Sequence, residues 1–109
     1  MIEPAVSRKI GKTALAELSL AAQEWKSATW AKEKGLYANT FESIEKLDEA
    51  VAELAFQITT YNSEALAELK KVLWEGTEHW DTLLIERAAI TGKLVLSEAT
   101  KTSLAAFKK

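Results

Sequence analysis

Between residues 44 and 58 the apolar side chains Ile44, Leu47, Val51, Leu54, Ala55 and Ile58 recur at steps of 3, 4, 3, 1 and 3. A strand turns alternate side chains to opposite faces, so this spacing would scatter them over both sides of a sheet. On an α-helix the same spacing draws one stripe about four turns long. Asn39 with Glu42 three residues later predicts a capping arrangement ahead of the stripe, and Glu42 with Lys46 a supporting ion pair at four residues. A helix that is apolar along one side must bury that side against something. That requirement constrains every other element.

The remaining segments follow the same period. Pro4 suits a first helical turn, where its missing N–H costs nothing, and Glu3 before it favours the positive end of the helix dipole. That piece should stop at Gly11. A second helix carries Ala14, Leu15, Leu18, Ala21 and Ala22 on one broad stripe, and Gln23–Lys26 breaks it. Ser27 reads as the cap of a short third helix with Trp30 and Ala31, ended by Gly35 in the left-handed position. Leu36, Tyr37 and Ala38 read as a connector. After the long helix, residues 59–62 form a break, and Ser63 is expected to cap a helix with Leu66, Leu69, Val72 and Leu73 inward. Thr77 should cap the next, running through Trp80, Leu84 and Ala88 to Gly92. Ser97 should cap a last helix presenting Leu104 and Phe107. The expectation is an all-α chain of about six to seven short-to-medium helices in one domain, residues 1–109. One proline and four glycines are too few turn residues for a sandwich of many short strands.

Composition removes several function classes. A net charge of −2, from 14 basic and 16 acidic residues, leaves no electrostatic footprint for nucleic acid. The absence of cysteine excludes a disulfide scaffold, cysteine-ligated zinc and a thiol nucleophile, and fits a cytoplasmic protein. No apolar run is as long as a membrane span, and the start has no basic flank followed by an apolar segment. No membrane partner is expected.

The usual reaction centres are missing too. His79 is the single histidine, with Glu75 four residues before it and Asp81 two after. Without a second histidine these make no common metal set, so a solvent-facing histidine near a helix start is expected. Glu42, Glu45, Asp48, Glu49 and Glu53 mostly face away from the apolar stripe, which describes a solvated face rather than an acid–base pair. Ser27, Ser63 and Ser97 precede helical patterns as caps do, and no Gly-x-Ser-x-Gly turn is present. Gly11-Lys12-Thr13 has the ending of a phosphate loop, but Val6 stands where its upstream glycine belongs. Four tryptophans, Trp25, Trp30, Trp74 and Trp80, sit near helix ends or breaks. Either they pack inward with the indole N–H on an acceptor, or they mark an aromatic contact surface.

The order of these signals resembles the C-terminal part of the crotonase superfamily of enoyl-CoA hydratases and isomerases. Val6-Ser7-Arg8-Lys9-Ile10-Gly11-Lys12 is similar to that family's basic stretch ending in glycine, and Ala14–Ala22 to its "A-x-E-L-x-L" helix. Ser27-Ala28, Ala31 and Gly35-Leu36 match "S/D-A-x-E-A-x-x-x-G-L-V", with Trp30 at an acidic position and Tyr37 at a valine. Leu47-Asp48-Glu49-Ala50 through Leu54-Ala55 and Ile58 resembles "L-D-E-x-V-x-x-L-A-x-x-I". Asn62–Leu66 with Lys70-Lys71 resembles "S-P-x-A-L-x-x-x-K". Ser97-Glu98-Ala99, Lys101 and Ala105-Ala106-Phe107 resemble "S-E-D-x-K-E-G-x-x-A-F". The likeness runs along nearly the whole chain. It departs at Ser27, at Glu64 in place of proline, and at Thr102-Ser103 in place of Glu-Gly, all on helix ends and surfaces.

The resemblance implies a division of labour. In that family an N-terminal spiral of β–β–α turns holds most of the coenzyme A pocket, the oxyanion-hole amides and the acid–base glutamates. Those elements precede the segment matched here, and Glu3 does not align with a catalytic glutamate. The chain is therefore expected to be a fragment, catalytically silent alone, because placed oxyanion donors are commonly the largest catalytic term. No catalytic residue, metal or resident cofactor is expected, coenzyme A entering only as part of the parent's substrate. The resemblance further implies self-association as a dimer or trimer, a cover over the acyl end of the site, and Phe107 and Lys108 near the nucleotide end of coenzyme A. Acyl-CoA would bind only with the N-terminal part. The alternative is a self-contained helical protein–protein interaction module whose tryptophans mark a partner surface.

Overall fold

The computed structural model describes residues 2–107. Six helices and no strand occur among them: α1 (Glu3–Leu20), α2 (Ala28–Glu33), α3 (Ile44–Thr59), α4 (Ser63–Leu73), α5 (Trp80–Val95) and α6 (Glu98–Phe107). The all-α expectation holds. Gly11 breaks α1 with φ 75° and ψ 170°, so its two halves match the two pieces read from the sequence on either side of this glycine. That backbone region is open essentially to glycine alone.

Local chemistry explains where the helices start. The Ser27 hydroxyl accepts from the Trp30 amide at 3.0 Å, and the Ser97 hydroxyl from the Thr100 amide at 3.3 Å, both as expected. Two other caps fall elsewhere. Ser43, not Asn39 with Glu42, caps α3: its extended backbone (φ −145°, ψ 161°) brings its hydroxyl 3.2 Å from the Lys46 amide. Asn62 rather than Ser63 caps α4, its Oδ1 accepting from the Ala65 amide at 2.9 Å, while Ser63 is already helical. Each satisfies one amide that the first turn leaves without an internal partner. The Glu42–Lys46 pair forms at 2.8 Å. At α5 the cap position is His79 rather than Thr77, and the Thr77 carbonyl accepts from the Trp80 amide at 3.0 Å.

Helix α5 also runs through Gly92, the expected stop, to Val95. Glycine ends a helix only when the chain uses its left-handed conformation; otherwise it is an interior residue costing about 1 kcal/mol relative to alanine. Gly92 keeps a negative φ, whereas Gly35, past the end of α2, takes φ +86° as expected.

The chain divides into two compact units, Ala5–Glu75 and the described residues of Met1–Pro4 with Gly76–Lys109. In Ala5–Glu75 the buried side chains are small: Ala14 on α1 is 5% exposed and Ala31 on α2 is 6% exposed. The α3 stripe of Ile44, Leu47, Val51, Leu54 and Ile58 lies open, as do Leu69, Val72 and Leu73 of α4. In the second unit Pro4 is buried, Glu3 meets Arg87 at 3.4 Å, and Trp80, Leu83, Leu84 and Ala88 form a half-buried stripe along α5. Helices α5 and α6 are the pair in sustained contact among the described residues.

Asn62→Ala should therefore destabilise the chain by about 0.5–2 kcal/mol while Ser63→Ala leaves it nearly unchanged, as read by helix content through a urea titration. A Cβ at Gly35 would lie 3.2 Å from the Lys9 carbonyl oxygen on a backbone that L side chains rarely adopt. Gly35→Ala should cost about 1–3 kcal/mol in the same titration.

Candidate functional site

Two neighbouring grooves on Ala5–Glu75 have Ala28 and Tyr37 in common. The larger, about 500 Å³, lies where the connector after α2 meets the start of α3, with Tyr37, Phe41, Ile44 and Leu47 as its apolar wall. Two of its polar groups are engaged in structure. The Ser43 hydroxyl caps α3 and the Glu42 carboxylate holds Lys46. What the groove offers a ligand is therefore aromatic and aliphatic surface, suited to contact rather than to proton transfer.

The smaller groove, about 370 Å³, runs between α1 and α2 past Leu18, Trp25, Lys26 and Trp30. Lys26 is its electrostatic centre. Its ammonium donates to Glu17 at 2.7 Å and to Glu24 at 3.2 Å, and stands 5.7 Å from the centre of the Trp30 ring. A cation over an indole face is attracted by the ring's quadrupole. The Lys26 hydrogen bond, followed by its charge, holds the Glu17 carboxyl below the usual carboxylate range against opposition from partial desolvation. Hydrogen bonds to Glu17 and Glu24 hold Lys26 above its ordinary value. With two carboxylates on one lysine, the cluster is a brace across the α1–α2 turn rather than a free cation.

The residues singled out from the sequence are dispersed. Phe107 ends α6 at 90% exposure and, with Ala99, Thr100, Ser103 and Leu104, walls a shallow hollow of about 320 Å³. Lys108, its expected companion at coenzyme A, lies outside the described residues, as does Lys109. Lys101 is engaged with Glu98 at 2.8 Å. His79 stands exposed at the start of α5, where the sequence put it. Among the described residues no group of three or more His, Asp or Glu side chains could hold a metal ion, and no helix is long and apolar enough to cross a membrane.

The tryptophans divide between the two readings. Trp25 is 98% exposed in the turn after α1, and Trp74 is exposed at the end of α4, while Trp30 and Trp80 are half-buried. Two features escaped sequence reasoning. One is the Lys26 brace: nine residues and a broken helix separate Glu17 from Lys26, so no helical spacing joins them. The other is Arg8, whose Nη2 donates to the Leu73 carbonyl at 2.9 Å and the Glu75 carbonyl at 2.7 Å. Every chain has backbone acceptors everywhere, so nothing in the residue pattern singled out those two.

The brace carries a pH dependence with two limits. Because the folded pKa of Glu17 lies below 4.5, its contribution is present above that value and is lost as the pH falls through the lowered one. Because the folded pKa of Lys26 lies above 10.5, its contribution is present below that value and is lost as the pH rises through the raised one. A carboxyl titration followed by NMR should place the Glu17 midpoint below 4.5, and Lys26→Met should return it to the ordinary range. A midpoint that Lys26→Met does not move would mean that the brace does not form in solution. No protein-family model, curated protein or solved structure matches this chain.

Proposed function

We propose that the chain is the C-terminal helical part of an enoyl-CoA hydratase/isomerase of the crotonase superfamily, acting in oligomer assembly and in covering the acyl end of the parent's site. Alone it is catalytically silent. The full-length parent would hydrate or isomerise an enoyl-CoA thioester in the cytoplasm, with an enolate held by oxyanion donors supplied from outside this segment. Coenzyme A would enter as part of the substrate, toward Phe107 and Lys108.

The observation that carries this reading is the open α3 stripe. Ile44, Leu47, Val51, Leu54 and Ile58 share one helix face, and each is exposed. Burying such side chains contributes about 1.5–3 kcal/mol apiece, so a face left in water represents stabilisation that another surface could supply. A segment shaped to pack against the rest of a larger protein and against further copies has this property. Further support comes from the ordered likeness between Val6 and Phe107.

Light scattering coupled to size exclusion over a dilution series tests the reading. The expected result is a dimer or trimer that a charge on the stripe, Leu54→Asp, dissociates without loss of helix content. A compact monomer at every concentration would overturn it in favour of a self-contained interaction module. The purified chain should also leave an enoyl-CoA thioester unhydrated at the buffer rate.

A further inference from the structure

Arg8 joins parts of the chain that are 65 and 67 residues apart in sequence. The break at Gly11 separates the Arg8 half of α1 from the half that carries the buried Ala14, so the direction of the first half is set by that one glycine rather than by helix continuity. The same half of α1 bears Lys9, whose carbonyl oxygen would lie 3.2 Å from a Cβ at Gly35, a glycine held at φ +86°. Arg8 thus sits beside the place where the first half of α1 closely approaches the end of α2, which serves here as the platform.

Its target is the other end of Ala5–Glu75. The Leu73 and Glu75 carbonyls lie at the C-terminus of α4, where the last turn leaves acceptors without intrahelical donors and the helix dipole is negative. A planar guanidinium can reach two such oxygens from one nitrogen and keep its charge beside them. Between the platform and α4 lies α3, reached through the irregular stretch from Tyr37 to Ser43 and left with its apolar stripe uncovered. Helices α3 and α4 are therefore capped and self-sufficient as helices, and sustained packing of either on α1 is absent among the described residues.

We propose that Arg8 is a latch: its guanidinium holds the α3–α4 arm to α1 by its last turn, and release of that hold frees the arm to move about the stretch from Tyr37 to Ser43. The latch is a conformational device of a single chain and stands independently of the assembly proposed above. It would set when the apolar face of the arm is presented in one fixed orientation and when it is mobile. A guanidinium against exposed carbonyls is weakened by salt, so the latch should loosen as ionic strength rises.

The chain has no cysteine, which permits site-directed spin labelling without a background. Labels at Lys9→Cys and Lys70→Cys, both exposed positions, report the distance from the platform to the arm by pulsed electron resonance. Mixing labelled chains into a large excess of unlabelled chains keeps the distance intramolecular whatever the oligomeric state. The expected result is one narrow distance population with Arg8, its loss in Arg8→Gln, and a partial loss in Arg8→Lys, with helix content by circular dichroism unchanged. Equal distributions for Arg8 and Arg8→Gln, whether both narrow or both broad, would overturn the proposal. So would a fall in helix content, since Arg8 would then be needed for α4 itself rather than for its attachment. Light scattering on the same samples reads the assembly separately, so either idea can fail without the other.

Discussion

Apolar burial ordinarily offsets the entropy lost when a chain is ordered, and here no large apolar side chain among the described residues is fully buried and many are exposed. Among the described residues the two buried hydrophobic side chains are alanines, while Ile44, Leu47, Val51, Leu54 and Ile58 of α3 and Leu69, Val72 and Leu73 of α4 face solvent. Helices can still form under this constraint because their hydrogen bonds are local and their ends are closed by Ser27, Ser43, Asn62 and Ser97. Their mutual arrangement has less to hold it. The constraint acts on everything downstream: a face built for burial and not buried within its own unit calls for a surface outside it.

Ala5–Glu75 has no large buried core, and polar and small-residue contacts add to the order of its half-buried apolar side chains. Gly35 permits the close approach of the Lys9 carbonyl, Lys26 braces the turn between α1 and α2, and Arg8 reaches the end of α4. Such contacts are directional but individually modest when exposed to water. They orient elements more than they stabilise them. Half-buried apolar side chains occur in both units: Ile10, Leu15, Leu18, Trp30, Leu36 and Leu66 in this one, and Trp80, Leu83, Leu84 and Ala88 in the other, where Pro4 is buried.

The functional reading follows from that imbalance. The grooves present aromatic and aliphatic walls, and Ser27, Ser43, Glu24, Lys26 and Glu42 among their polar groups serve caps and ion pairs, so their chemistry is chiefly that of contact. The covering and assembling role proposed above would use such surfaces, and Phe107, the proposed coenzyme A-side residue, is exposed at the end of α6. The exposed indole of Trp25 belongs to the same class of feature, a large apolar group placed where a partner could cover it.

Much of the helical layout was legible in the residues, because helix formation depends on neighbours three and four positions away. The α3 stripe, the caps at Ser27 and Ser97, the Glu42–Lys46 pair and the breaks at Gly11 and Gly35 were all readable from local spacing. Errors clustered at helix ends. Ser63 yielded to Asn62 as a cap, Ser43 replaced Asn39 with Glu42, and α5 ran past Gly92, because several polar or flexible residues compete there within a fraction of a kcal/mol to about one. The sequence by itself thus determined which residues form helices and which faces are apolar. Only the tertiary structure decided that those faces stay open, that Glu17 and Lys26 meet, and that Arg8 closes on α4, since contacts across nine to 67 residues depend on loop directions that no local period encodes.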